Sequence, residues 1–454
     1  MSVNPAEHIE RFRHLDFNEE FSSAFELIEN TRTNVFVTGR AGTGKSTLLQ
    51  YFRHRTQKKI AVLAPTGVAA INVKGQTIHS FFMFRPDITP DTVDEIYVIK
   101  KKRELYAKLE TLVIDEISMV RADLLDCIDM FLRLHGPKPS LPFGGVQMVF
   151  FGDLYQLPPV VRFDEQTIFK TVYKTSYFFG AKVFELFEFQ VLELKEIYRQ
   201  KDERFIKILN AIRHNNLTAD DLKILNARFQ RGVDDYKQDD FFVSLTTTND
   251  LAEKINSQKL SQLPGEVYKY TGTISGEFEK KNLPTQQLLE LKIGAQVMML
   301  TNDPEKRWVN GTIGKVIEIF PDPDGKDIVM VKLANGLDVD INSFTWEIFQ
   351  FYYDEDIESL SSRVVGYFSQ FPIKLAWAVT IHKAQGKTFE KVILDLGRGT
   401  FAYGQLYVAL SRCTTLEGIV LKQPIERRHV LLDASVRDFF QSIASQTKTV
   451  TLKD

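Results

Sequence analysis

One stretch narrows the possible folds more than any other. Gly39-Arg40-Ala41-Gly42-Thr43-Gly44-Lys45-Ser46 fits the pattern G-x-x-x-x-G-K-[ST] in full. Residues 34–38 before it read NVFVT, a β-rich apolar run, and Lys45-Ser46-Thr47-Leu48-Leu49 behind it reads as the start of a helix. Such a loop lets backbone N–H groups curl around phosphate oxygens, and the helix N-terminus adds partial positive charge. Lys45 is then placed for the β- and γ-phosphates, and the Ser46 hydroxyl for Mg²⁺. Similar apolar runs at 60–63, 112–114 and 146–151, separated by helix-length stretches, extend the pattern into a parallel α/β sheet.

Two of those runs end in polar residues suited to phosphoryl transfer. Residues 112–114 lead into Asp115-Glu116, where Asp115 is placed to hold Mg²⁺ and Glu116 to orient and deprotonate an attacking water. Residues 146–151 lead into Gly152-Asp153-Leu154-Tyr155-Gln156-Leu157-Pro158-Pro159, where Gln156 is a candidate γ-phosphate sensor and the prolines stiffen the exit.

A chain of 454 residues exceeds one hydrophobic core, so two to four domains are expected. We expect a first α/β core over 1–190 with a short excursion at 84–108 that carries the basic run Lys100 to Arg103. A second core is expected over 191–263 and 372–435, interrupted at 264–371 by short β-like runs punctuated by Asn310-Gly311, Asp324-Gly325 and Asn335-Gly336. Residues 436–454 read as a C-terminal tail. The net charge of −2 gives no global field for a polyanion, so a nucleic-acid surface would have to be a local groove. The 35 phenylalanines are mostly core by default, but a strand-binding groove also needs exposed rings on which bases stack, and composition alone does not separate the two. Cys127 and Cys413 stand far apart in no paired-ligand spacing, which argues against a disulfide framework or zinc ribbon. The polar start and the absence of a long apolar run lead us to expect a cytoplasmic protein away from the membrane, nucleoid-associated if bacterial.

Eight collinear blocks resemble one known family: GRAGTGKST, APTGVAA with GQTIHSFF, VIDEISMV, GDLYQLPPV, LKEIYRQ, GAQVMML with VNGTIGKV, KLAWAVTIHKAQGKTF, and GQLYVALSRC. They resemble PIF-type (petite integration frequency) helicases, in the RecD-related branch of helicase superfamily one. The resemblance implies two RecA-like cores with ATP and Mg²⁺ between them, a wedge at 84–108 and an SH3-like inserted domain. It further implies 5′-to-3′ movement along single-stranded DNA, acting on duplexes, junctions or quadruplexes in genome maintenance, by a protein monomeric when free. By position, Arg199 and Arg412 correspond to γ-phosphate arginines of the second core, and Ala41, Thr47 and Gly386 to nucleotide contacts. Thr66, Gly67, Val68, His79 and Phe81 correspond to DNA contacts on the first core, and Thr380, His382 and Lys383 to those on the second.

The chain departs from the family upstream of the phosphate loop. A glutamine that reads adenine is usual there, whereas residues 15–21 are LDFNEEF, leaving Glu20 nearest and Asn18 as the nearest amide. A carboxylate can accept from adenine's amino group but cannot donate to its ring nitrogen. Three other readings share some of these features. A nucleotide kinase or GTPase needs no second-core arginines, an RNA translocase differs only in contacts to the 2′-hydroxyl, and a DNA-binding scaffold has no use for Lys45, Glu116 and Arg412 together.

Overall fold

The computed structural model describes residues 18–161, 165–230, 241–397, 399–400 and 402–450, except for the side chains of 167, 168, 170 and 445–450. Of the segment expected to meet the base, 15–17 lie outside the described residues.

Strands β1 (Asn34–Gly39), β2 (Ile60–Ala64), β3 (Gln76–Thr77), β4 (Thr111–Ile114), β5 (Gln147–Phe151) and β6 (Phe189–Leu194) form a six-stranded sheet in the order β3-β2-β4-β5-β1-β6. Every pairing in it is parallel. Val35, Phe36 and Val37 of β1 are fully buried because both faces are covered, so the strand reads as a continuous apolar run. On one face, helices α1 (Glu19–Asn30) and α2 (Lys45–Arg55) lay Phe21, Ile28, Leu48 and Phe52 against Val35, Val37 and Val149. Phe36, Leu112, Ile114 and Phe150 face the larger core on the other side.

The second sheet is also parallel. Val243–Thr246 lies between Ala378–Thr380 and Val392–Leu394, with Ile419–Leu421 outermost. In the chain between Val243–Thr246 and Ala378–Thr380 comes a five-stranded antiparallel sheet that includes Gln296–Met299, Ile313–Pro321 and Asp327–Leu333. It has its own apolar interior, with Val297, Val316, Val331 and Ile341 fully or almost fully buried.

Three expectations are corrected here. β6 was expected in the second core from 191 onward, but it runs beside β1 from Asn34 opposite Phe189 to Gly39 opposite Leu194. Residues from 372 were expected to rejoin the second core, but Ile373–Leu375 pairs antiparallel with Gln296–Met299 of the insert. In both cases a short apolar run does not state which sheet edge it completes. Finally, residues 436–450 do not form a detached tail. They belong to a helix, Ala434–Val450, whose Phe439 stacks on Phe179 at 4.3 Å and whose Phe440 stacks on Tyr155 at 5.4 Å.

The excursion at 84–108 is anchored to the first core. Its helix Lys100–Lys108 buries Leu105 and Tyr106, and the Tyr106 hydroxyl donates to Phe81 O at 2.6 Å. A long hairpin of the insert, Phe344–Asp354 and Ser359–Gln370, lies against it. There Lys101 Nζ sits 5.6 Å from the Tyr352 ring centre, and Lys59 and Lys108 flank Tyr353. Phenylalanine here is a core residue: among the described residues, Phe344 is the one exposed Phe.

Candidate ATP and DNA sites

All the phosphate-site elements emerge at the carboxyl edge of the first sheet, where strands hand over to loops. The loop after β1 needs glycine at two points for different reasons. Gly44 caps α2 with φ +83, and a Cβ there would lie 2.8 Å from the Phe21 ring. Gly42, at φ +85, is pressed by a neighbour, since a Cβ would come within 2.5 Å of Arg199 Cβ. Lys45 Nζ donates to Gly39 O at 2.6 Å and Arg40 O at 3.0 Å, and burial lowers its pKa against the raising influence of Asp153 and Glu116. Thr43 is buried and donates to Arg40 O, whereas Ser46 is exposed at the first turn of α2 and Thr47 is half-buried behind it.

After β4, Asp115 is buried and Glu116 turns into the left-handed region, φ 50 and ψ 43. Burial and the adjacent Glu116 charge push the Asp115 carboxyl up to about 7. Burial also raises Glu116, opposed by Lys45 and Arg412. After β5, Gln156 is buried and its amide donates to Asp153 Oδ2 at 3.2 Å.

The second core closes this site with groups from several segments. The Ala41 N–H donates to the Tyr407 hydroxyl at 3.1 Å, and Gln385 Nε2 donates to Glu116 Oε2 at 3.1 Å. Arg199 donates to Ser411 O at 3.1 Å; burial and the neighbouring Arg412 push its pKa down to about 9. Arg412 is 1% exposed, held by Val408 O at 2.9 Å and Ser411 Oγ at 2.9 Å, and burial lowers its pKa too. Two neighbouring guanidinium groups, one buried and one half-buried, repel each other, and an anion between them relieves that cost. Gly386 follows Gln385 with φ +77 and an open Cβ side.

The expected DNA contacts divide unevenly. Thr66 is exposed and caps helix Gly67–Asn72, accepting from Ala69 N; Val68 is exposed beside it. Gly67 is covered by Asn282 of the insert, since a Cβ would lie 2.4 Å from that side chain. His79 is half-buried near Lys281, and burial lowers its pKa. Phe81 corrects the expectation of a contact: it is 2% exposed, edge-on to Phe82, Tyr106 and Phe351, and offers no face to a base. On the second core, Lys383 is exposed and His382 half-buried, while buried Thr380 accepts from Lys383 N at 3.3 Å.

Residues 16–223 match the family described as PIF1-like helicase, and 277–319 match the 2B domain of DNA helicase Pif1. The protein named ATP-dependent DNA helicase Pif1 from Bdellovibrio bacteriovorus is 34% identical over 437 residues, covering 94% of this chain and 92% of that protein. The chain belongs to the PIF1-like helicase family. Bacteroides sp Pif1 in complex with ADP-AlF4 matches the structure with a TM-score of 0.86 at 38% identity, over 95% of this chain and 98% of that one. Bacteroides Pif1 bound to single-stranded DNA scores 0.67 at 39% identity with the same coverage.

Sequence reasoning missed four residues of this helicase's interdomain site: Asp153, Arg213, Gln385 and Tyr407. Asp153 and Arg213 form a buried ion pair, Arg213 NH2 to Asp153 Oδ1 at 3.3 Å, with the guanidinium 4.1 Å from the Tyr155 ring centre. Arg213 Nε finds no hydrogen-bond partner. Its one signal in the sequence is an arginine closing the amphipathic helix Glu203–Arg213. Arg213→Met leaves the Asp153 charge buried without its partner, so we expect a loss of about 3–5 kcal/mol in unfolding free energy. Asp153→Asn combined with Arg213→Met should recover most of it. Chemical denaturation of the three variants measures this, and an unchanged midpoint for Arg213→Met would show the pair to be idle.

Proposed function

We propose that the chain is an ATP-driven DNA helicase that hydrolyses ATP with Mg²⁺ between its two cores and moves 5′-to-3′ along single-stranded DNA. Its substrates are then duplex ends, junctions and folded DNA such as quadruplexes, engaged by a monomer. The observation that carries this reading is the convergence of Arg199, Tyr407, Gln385 and Arg412 from the second core onto the phosphate loop and Glu116 of the first. The relatives' names, which specify ATP and DNA, support it. Mg²⁺ fits the donors present: the Ser46 hydroxyl and Asp115 carboxylate are hard oxygens, and Mg²⁺ takes the rest of its shell from water and phosphates. When bound it neutralises charge on the phosphates.

In this reading Lys45 exchanges Gly39 O and Arg40 O for phosphate oxygens. Glu116 takes the proton of the attacking water, and Arg199 and Arg412 stabilise charge on the transferring group. The test is ATP turnover with and without single-stranded DNA, with matched RNA alongside, followed by unwinding of duplexes with a 5′ or a 3′ tail. Strand-independent turnover, or unwinding only from a 3′ tail, would overturn it.

The base end of the site should select weakly. Asn18 Nδ2 donates to Glu196 Oε2 at 2.8 Å and Tyr198 OH at 3.2 Å, while Glu20 Oε2 accepts from Lys195 N at 2.9 Å. Both side chains thus tie α1 to 195–198. A site built on matched hydrogen bonds discriminates by about 10⁴- to 10⁵-fold; here GTP and CTP should support hydrolysis within roughly tenfold of ATP in kcat/KM. Strict use of ATP, lost in Asn18→Ala, would make Asn18 the reader.

A further inference from the structure

Beside the expected strand contacts of the second core, Lys383 among them, lie two further lysines that those contacts do not account for. Lys374 sits on strand Ile373–Leu375 of the insert, opposite Met298. Lys383 and Lys387 sit on the segment that follows Thr380, and both act on Lys374 electrostatically. Lys387 is pinned from the insert as well. Its ammonium donates to Asn310 Oδ1 at 2.6 Å, and a Cβ on Gly311 would lie 3.3 Å from Lys387 Cβ. Lys374 and Lys387 are half-buried and Lys383 exposed. Among the described residues, the Lys374 ammonium has neither a hydrogen bond nor an ion pair.

Burial disfavours the charged forms of Lys374 and Lys387, and the charges of Lys387 and Lys383 further disfavour that of Lys374. A buried lysine kept for packing alone would more economically be a methionine. Thr380 and His382 border the cluster along the same segment, so an extended anion following them would come within reach of it.

We propose that Lys374 and Lys387 form a phosphate clamp for the single strand at the seam between the insert and the second core. The assignment rests on the helicase reading above. Burial, then the charges of Lys387 and Lys383, push Lys374 down to about 7; burial pushes Lys387 down to about 8. No other titratable group is found to act on either lysine. A phosphate favours the charged ammonium and raises both pKa values, so the strand-bound form holds more protons. Affinity therefore falls as pH rises through 7 to 9.

The experiment is calorimetric titration of an oligothymidylate into the nucleotide-free full chain at pH 8, in two buffers of different ionisation enthalpy, repeated over a salt series. We expect uptake of about one to two protons per strand, the deficit left by groups near 7 and 8. Lys374→Met with Lys387→Met should abolish the uptake and flatten the dependence of log Kd on log salt by about 0.7 per lysine. Lys374→Arg with Lys387→Arg should keep the salt slope and lose the uptake, because guanidinium stays charged. A packing role alone would move neither readout. Strand binding with no proton uptake overturns the clamp, as does uptake that persists in the methionine variant. A wild-type chain that binds no strand at all overturns the helicase reading and the clamp with it.

Discussion

Glu116→Gln is expected to retain ATP binding while losing about 10²- to 10⁴-fold in turnover, the range of a missing general base. The backbone at Glu116 holds the carboxylate in place, since a left-handed φ of 50 turns the side chain off the strand end and into the cleft. There the carboxylate accepts from Gln385, while Lys45 and Arg412 favour its charged form. A glutamine preserves the size and still accepts from Gln385 through its carbonyl, so geometry and closure survive while proton acceptance is lost. Lys45→Ala makes the contrast, because it removes a ground-state phosphate contact and should weaken nucleotide binding and turnover together. Titration with a fluorescent ATP analogue beside steady-state hydrolysis separates the two. Near-wild-type hydrolysis in Glu116→Gln would remove this residue from the chemistry.

The contrast between these two residues and the rest of the site marks what a sequence can show. The placement of Lys45, Ser46, Asp115 and Glu116 is legible because each follows a strand end within a few residues, and local order is written in local pattern. Tyr407 and Gln385 are not: Tyr407 meets Ala41 across 366 residues, and Gln385 meets Glu116 across 269. Nothing in LYVALS or HKAQG states that partner. The same gap explains the misplaced strands. Residues from 191 were expected in the second core, but Phe189–Leu194 completes the first sheet beside β1, and nothing in FQVLEL states that neighbour. Phe81 shows a third kind of miss. Its place in a recognised block implies a DNA contact, yet Phe82, Tyr106 and the insert's Phe351 enclose the ring. Burial is a property of the assembled fold and has no local signature.

Arg412→Ala is expected to leave nucleotide-free DNA affinity nearly intact while removing most of the DNA-stimulated rate, on the order of the 10³-fold that an arginine finger supplies. Arg412 sits at the end of helix Gln405–Ser411, and the same helix carries Tyr407, whose hydroxyl accepts from Ala41 in the phosphate loop. Movement of the second core therefore carries the guanidinium and the Tyr407 contact together. In the proposed reading, a strand spanning Thr66 and His79 on the first core and Thr380 and Lys383 on the second should bind the closed arrangement better than the open one and so accelerate hydrolysis by shifting that population. The arginine's charge, desolvated at 1% exposure and repelled by Arg199, is well placed to act when a phosphoryl group arrives between them. Arg412→Lys should restore little, because an ammonium lacks the planar fork that both Val408 O and Ser411 Oγ hold in place. Steady-state ATPase across a titration of single-stranded DNA decides the matter. If Arg412→Ala is stimulated as strongly as the wild type, closure of the second core onto the phosphate loop is not what couples hydrolysis to the strand.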